Sequence, residues 1–323
     1  MKRIGVFTSG GDAPGMNACI RAVVRTAAYN GVDVVGIKRG FQGMIDNEFV
    51  ELKKSDVANI IQLGGTILKT ARSSEFMTSK GREQAYNNIK NAGIEGLVCI
   101  GGNGTYTGSG IFFDEFGIPA IGAPGTIDND LYGTDYTIGF DTAVNTALDA
   151  IDRIRDTADA HNRVFFVEVM GRDSGFIALN AGISGGAEGI MLPEVMNDYE
   201  SLKDHFSSKN RRVKEFSIII VAEGETEGKT YRLAENFKKE FDDCDVRVSI
   251  LGHIQRGGRP TANDRILAGF LGNAAVEALL AGKSNLCAGM VNHQLALVPF
   301  KEAIAKRKSI DPALWHLSKV LSY

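Results

Sequence analysis

Cysteine is scarce. The four present, Cys19, Cys99, Cys244 and Cys287, stand far apart among 323 residues and form no C-x-x-C pair, which argues against a zinc site. Such usage fits a reducing compartment, and Cys99, in an apolar stretch, is expected as a small core residue. Long apolar runs are missing too: nothing approaches the ~18 residues of a membrane-spanning helix. The opening MKRIGVFTSGGD has only four apolar residues before a polar glycine turn, too few for the apolar region of a secretion signal. A cytoplasmic protein with no membrane partner is expected. Positive charge is not in excess: 36 Lys and Arg face 39 Asp and Glu, for a net charge of -3. No nucleic-acid partner is therefore expected. A lysine P-loop is also absent. The nearest approach, GETEGKT from Gly224 to Thr230, is one residue short of G-x-x-x-x-G-K-[ST]. Any nucleotide is handled without that motif.

What is present is apolar content for a large core, 44% hydrophobic against 23% charged, in a chain long enough for two lobes. Short apolar runs at 4–7, 34–37, 96–100, 120–122, 164–168, 189–192, 217–222 and 246–251 read as strands. Stretches of helix-forming composition at 17–29, 82–91, 142–160 and 263–281 alternate with them. The expected fold class is α/β: two interleaved lobes, each a mainly parallel sheet flanked by helices, with ligands at the carboxyl ends of strands.

Glycine pairs follow apolar runs at Gly10-Gly11, Gly101-Gly102, Gly185-Gly186 and Gly257-Gly258. Glycine admits close backbone approach, and successive N–H groups favour phosphate. Such pairs also end strands for structural reasons alone. The stretch VCIGGNGTYTG (98–108) reads as a buried strand entering a glycine-rich turn, with Asn103 best placed to face a metal. In PGTIDND (124–130), an extended chain would point Thr126, Asp128 and Asp130 to one face, which suits a general base beside a metal-bound phosphate. A polar Asx turn is the competing explanation. Arginines cluster as well: Arg21 with Arg25, then Arg153, Arg155, Arg163 and Arg172, then Arg247 and Arg256 around His253. Each alone is most simply a surface charge, and His253 alone a structural histidine; several clusters beside glycine turns favour phosphorylated ligands.

Taken together, TSGGDAPGMN (8–17), PGTIDND (124–130), VEVMGR (167–172) and LGHIQRGG (251–258) resemble, in order and spacing, the bacterial ATP-dependent 6-phosphofructokinases over essentially the whole chain. The resemblance implies a homotetramer that moves the γ-phosphoryl of MgATP to the C1 hydroxyl of fructose 6-phosphate. It implies a larger nucleotide-binding lobe at 1–139 plus 256–308 and a smaller sugar-phosphate-binding lobe at 140–255 plus 309–323. Asp128 would be the base, with Thr126, Arg72, Gly11 and Arg172 completing the catalytic set. Thr126, Asp128, Asp130, Met170, Gly171, Arg172, Glu223, His253 and Arg256 would hold the sugar phosphate, with Arg163 and Arg247 reaching its 6-phosphate from a neighbouring subunit. The nucleotide would lie on Gly11, Arg72, Ser73, Gly102, Asn103, Gly104, Thr105 and Gly108, with Arg82 nearby and magnesium on Asn103 and Asp130. An effector, ADP or phosphoenolpyruvate, would meet Arg21, Arg25, Lys54, Arg155, Glu188, Arg212 and Lys214, where Lys54 replaces a frequent arginine and lacks its fork.

Asn103 departs from the family's usual aspartate. It keeps a carbonyl oxygen for Mg²⁺ but removes a charge, weakening the metal contact by about 1–3 kcal/mol. Ser73-Ser74 also replaces a more apolar pair. Glycine at 104 and 125, where a pyrophosphate-dependent branch carries aspartate and lysine, leaves room for ADP and favours ATP. The alternative to an active kinase is a catalytically weak or silent member that senses sugar phosphate or nucleotide. A kinase for another acceptor is the third: GGNGT also resembles the phosphate turn of NAD and lipid kinases, which are not expected to carry the HIQRGG and VEVMGR segments.

Overall fold

The computed structural model describes residues 1–159, 163–195, 198–207, 216–224 and 228–322. Its strands are β1 (Arg3–Thr8), β2 (Asp33–Ile37), β3 (Phe49–Leu52), β4 (Leu97–Gly101), β5 (Ala120–Pro124), β6 (Arg163–Val169), β7 (Gly189–Met191), β8 (Ser217–Ala222), β9 (Asp245–Ile250), β10 (Leu286–Val291) and β11 (Gln294–Pro299). Its helices are α1 (Met16–Tyr29), α2 (Gly40–Ile45), α3 (Ser79–Asn91), α4 (Asn103–Phe116), α5 (Phe140–Asp159), α6 (Phe176–Ser184), α7 (Asp198–Ser207), α8 (Lys229–Glu240), α9 (Ala262–Leu280), α10 (Phe300–Ala305) and α11 (Pro312–Leu321). None of these helices is long and apolar enough to cross a membrane.

The chain forms two compact units. The first comprises Met1–Ile127, Leu131–Thr142 and Arg256–Lys308; the second Asp128–Asp130, Ala143–Gln255 and Ser309–Tyr323. The first holds a seven-stranded sheet in the order β11-β10-β5-β4-β1-β2-β3. Its centre is parallel, and both edge pairs, β2 with β3 and β10 with β11, are antiparallel. The central strands are buried end to end, as Leu97–Gly101 and Ala120–Pro124 show, because helices cover both faces. Gly272 lets α9 approach α1 so closely that an added Cβ would stand 2.8 Å from the Cys19 carbonyl oxygen. The second unit holds a wholly parallel sheet, β7-β8-β6-β9, over a core of Phe166, Ile219, Val221 and Phe237.

Each of the expected strands is present, in β1, β2 and β4 to β9. The strands β3, β10 and β11 and most of the shorter helices were not anticipated. One expectation changes character. The glycine-rich stretch after β4 is not an open turn: α4 begins at Asn103 and carries Gly104, Gly108 and Gly110 within it. Glycine normally disfavours helix. At Gly108 packing requires it, because an added Cβ would stand 2.8 Å from the Phe41 ring.

Candidate active site

In the first unit, two loops follow neighbouring parallel strands at their carboxyl ends. After β1, Gly10 takes a left-handed conformation (φ 86°), and Ser9 donates its N–H to the Ile100 carbonyl at 3.0 Å. After β4, extended Gly102 caps α4, and its carbonyl accepts from Thr105 N (2.9 Å) and Tyr106 N (3.2 Å). The first turn of α4 carries no acidic side chain, so nothing there repels an anion at its N-terminus. An added Cβ at Gly102 or Gly104 would meet nothing within 4 Å, so this end is open. Asn103 Oδ1 is buried and has no hydrogen-bond partner among the described residues. An oxygen donor left without a proton donor suits a hard cation. Mg²⁺ arriving on phosphates needs only one or two protein oxygens. No group of three or more His, Cys, Asp or Glu among the described residues could hold a metal by itself. The donor set thus fits a metal brought by the nucleotide.

Gly11 packs against a cation: an added Cβ would stand 3.2 Å from the Arg256 guanidinium, whose Nε is buried without a hydrogen-bond partner among the described residues. A residue that sequence reading missed ties the start of α5 to the start of α9. Asp264, 1% exposed, accepts from Gly139 N and Thr142 N, each at 2.8 Å, and from Thr142 Oγ1 at 2.5 Å. These bonds cap the start of α5, and burial raises the Asp264 carboxyl above its ordinary range. Thr8 and Ser9 are buried, whereas Arg72 is exposed and makes no ion pair among the described residues. Ser73 is occupied locally: its hydroxyl donates to Gln42 Oε1 (2.7 Å) and accepts from Phe76 N (3.1 Å). Arg82 is likewise engaged, forking onto Glu115 with both bonds at 2.6 Å. That pairing holds the Glu115 carboxyl below its usual range.

The segment 124–130 does not run straight. Residues 127 and 128 form a bend and Asn129 is left-handed (φ 54°), so the simple alternation expected for Thr126, Asp128 and Asp130 does not describe it. Ile127 is buried, and the Thr126 carbonyl accepts from Thr137 Oγ1 at 2.6 Å.

In the second unit the candidate residues gather where β6, β8 and β9 end. Met170 N donates to Gln255 Oε1 and Arg172 N to Glu223 Oε1, both at 2.9 Å. Asp128, 7% exposed, has Arg172 Nε 3.9 Å from its Oδ2. His253 is exposed in the short 3-10 helix Gly252–Arg256. Met170, Gly171, Arg172 and Glu223 thus belong to the carboxyl-end loops of the four-stranded parallel sheet, where such folds take ligands, while Asp128 and Asp130 follow β5 of the seven-stranded sheet and group with the second unit. Arg163 and Arg247 are not brought to them. They sit at the opposite edge, where Asp245 accepts from Arg163 Nε at 2.9 Å and from Arg247 Nη2 at 3.2 Å. Arg163 stands six residues before Val169, roughly 20 Å along the strand.

Of the expected effector residues, Arg21 and Arg25 lie on α1 and Lys54 beyond β3, all in the first unit. Arg155 and Glu188 lie in the second. Arg155 Nη2 donates to the Gly185 and Gly186 carbonyls, and buried Glu188 accepts from Ile218 N at 2.7 Å. Arg212 and Lys214 lie outside the described residues, as does the middle of GETEGKT. Thr230, at the end of that stretch, gives its hydroxyl to Glu168 Oε2 at 2.5 Å and is fully buried. It is not placed as a P-loop threonine. Burial pushes the thiols of Cys19, Cys99 and Cys287 up to about 12, which leaves them inert at neutral pH.

An open helix terminus with no acidic side chain in its first turn, and a buried carboxylate beside an arginine at the carboxyl edge of a parallel sheet, suit phosphoryl transfer. Comparison with known proteins is specific. The phosphofructokinase family model matches residues 3–279. The chain is 59% identical over 322 residues to ATP-dependent 6-phosphofructokinase 1 of Thermus thermophilus, covering 100% of both chains. It is 55% identical to ATP-dependent 6-phosphofructokinase of Cytophaga hutchinsonii, covering 100% of this chain and 98% of that one. Among solved structures, phosphofructokinase from Saccharomyces cerevisiae superposes with a TM-score of 0.90 at 34% identity over 100% of this chain, which spans 48% of the yeast chain. The chain belongs to the phosphofructokinase family.

Proposed function

We propose that this protein transfers the γ-phosphoryl group of ATP to the C1 hydroxyl of fructose 6-phosphate, a glycolytic reaction of the cytoplasm. The bond formed joins the C1 oxygen to the γ-phosphorus. The bond broken joins that phosphorus to the β,γ-bridging oxygen, and ADP leaves. The proton of the C1 hydroxyl goes to Asp128. An alcohol is far less acidic than a carboxylic acid of pKa ~3.9, so the proton moves late, as the new bond forms. Asp128 is largely shielded from solvent, with Arg172 Nε 3.9 Å from its Oδ2.

Donor-side residues lie in the first unit. The backbone of Gly102, Asn103 and Gly104 at the start of α4, with Thr105 and Gly108 behind it, receives the nucleotide phosphates. Gly11 admits close approach of the transferring group, and Arg72, which makes no ion pair among the described residues, supplies positive charge as negative charge builds up on it. Asn103 through Oδ1, together with Asp130, would hold magnesium. The metal, when bound, neutralises phosphate charge. Of the residues assigned to the sugar phosphate, Met170, Gly171, Arg172, Glu223 and His253 belong to the second unit and Thr126 and Arg256 to the first. Arg163 and Arg247, at the far edge of the small sheet, act on the 6-phosphate of a neighbouring subunit in a homotetramer. ADP or phosphoenolpyruvate acts as effector through Arg21, Arg25, Lys54, Arg155, Glu188, Arg212 and Lys214.

The observation that carries this assignment is buried Asp128 with Arg172 at the carboxyl edge of the small sheet. A coupled assay for fructose 1,6-bisphosphate, with magnesium titrated and ATP or pyrophosphate as donor, tests it. Turnover with ATP is expected. A folded protein that binds fructose 6-phosphate yet turns over with neither donor would be a sensing member of the family instead.

A further inference from the structure

The turn that presents Arg172 is one the backbone resists. Gly171 lies at φ 146°, and Arg172, which has a Cβ, is left-handed at φ 51°. The opposing turn carries Asn129 at φ 54°. Conformations of this kind persist only when their surroundings hold them. Two side chains hold the backbone of the Arg172 turn: Gln255 Oε1 accepts from Met170 N and Glu223 Oε1 from Arg172 N. Ser174 does something different. Its hydroxyl, in a residue 6% exposed, lies 2.8 Å from the Gly171 carbonyl oxygen and 3.0 Å from the Asp128 carbonyl oxygen. Its one proton is shared between the two acceptors. Its own N–H closes back onto the Gly171 carbonyl at 3.0 Å, and a Cβ added to Gly171 would stand 2.4 Å from the Ser174 carbonyl oxygen. The segment from 171 to 174 is therefore packed with no slack. A buried hydroxyl joins the main chain of the arginine turn to the main chain of the aspartate.

We infer that Ser174 is a positioning residue for phosphoryl transfer: it locks the Arg172 turn to the Asp128 backbone and so sets the 3.9 Å spacing of the Arg172–Asp128 pair. This rests on the assignment of Asp128 and Arg172 to the reacting centre. Ser174 touches no substrate in this account, and it acts only through that pair. The small shift it prevents is of the size that lowers transfer without abolishing binding.

A double-mutant cycle on the full-length protein tests this, using wild type, Ser174→Ala, Arg172→Ala and the double variant, with Ser174→Thr as the hydroxyl-retaining control. Alone, Ser174→Ala should lower kcat/KM for fructose 6-phosphate about tenfold, with KM for MgATP within about twofold and the melting temperature little changed. In the Arg172→Ala background the same change should cost less than about twofold, since the pair it serves is gone. Ser174→Thr should recover most of the activity. Equal losses in both backgrounds would overturn the inference, as would an unaffected Ser174→Ala. A loss matched by lower thermal stability and shifts in both KM values would show a merely structural hydroxyl. Absence of wild-type turnover would overturn the proposed function and this role with it, whereas wild-type turnover with additive losses would overturn only the role of Ser174.

Discussion

Arginine–aspartate contacts stand at both edges of the four-stranded sheet, and the two edges differ in tightness. At the amino edge, Asp245 is held by Arg163 at 2.9 Å and by Arg247 at 3.1 Å. At the carboxyl edge, Arg172 keeps its Nε 3.9 Å from Asp128, with the arginine side chain 62% exposed and the aspartate side chain 10% exposed. The amino-edge pair is closed: the Arg163 bond and both arginine charges draw the Asp245 carboxyl below its usual range. The carboxyl-edge pair is loose, with a buried acceptor and a cation mostly in water. Ligands to parallel sheets enter at the carboxyl edge, which is where the proposed function places the chemistry. The tight cluster engages both Arg163 and Arg247 on one carboxylate.

That contrast is most easily broken at Asp128. Replacing it with asparagine keeps the shape but removes the proton acceptor. A fall in kcat of about 10³, read at saturating substrates, is expected from the usual worth of a general base. Next in size is Arg172→Ala, expected to lower kcat/KM for fructose 6-phosphate about 10–100-fold by removing a charged partner. Asp264→Ala should leave chemistry largely intact but destabilise the first unit by about 3 kcal/mol, since the buried Gly139 and Thr142 N–H groups lose their acceptor. Burial raises the Asp264 carboxyl above its unfolded value, so its stabilising contribution is greatest below ~4 and declines as pH rises through the raised value. The wild type's lead over the variant in urea midpoint should narrow accordingly. Asn103→Asp should lower the magnesium needed for half-maximal rate by roughly tenfold, read by titrating the metal at fixed ATP. The smallest effect is expected at Asp245→Asn, an exposed pair worth at most about 1 kcal/mol. Its pKa is depressed, so this contribution is present above ~3.9 and lost as pH falls through the folded value. Wild type and variant should converge in thermal stability at acid pH.

Legibility followed physical signal. Strands buried on both faces, such as β4 and β8, are continuous apolar runs and were readable. Strand β3 is four half-exposed residues at an edge and gave no such run. The β10–β11 hairpin turns on Asn292 and His293, both left-handed (φ 50° and 62°). Histidine stands where glycine usually marks such a turn, which hid it. Helix α4 was concealed by its glycines. At the candidate site, Asp128, Met170 and Arg172 were named from the motifs PGTIDND and VEVMGR, and Glu223 from the family resemblance alone. Ser174, Gln255, Asp245 and Asp264 were not, because a lone serine, glutamine or aspartate shows its partner only in three dimensions. Arg163 and Arg247 could be named from the sequence, but their place at the far edge of the sheet could not.

The most direct measurement is single-turnover phosphoryl transfer by rapid quench for wild type, Asp128→Asn and Asp245→Asn side by side, with fructose 6-phosphate affinity determined for each. The account predicts that Asp128→Asn binds the sugar phosphate yet transfers about 10³-fold more slowly, while Asp245→Asn transfers within about threefold of wild type. Transfer by Asp128→Asn at a rate near wild type, or equal losses in both variants, would contradict it.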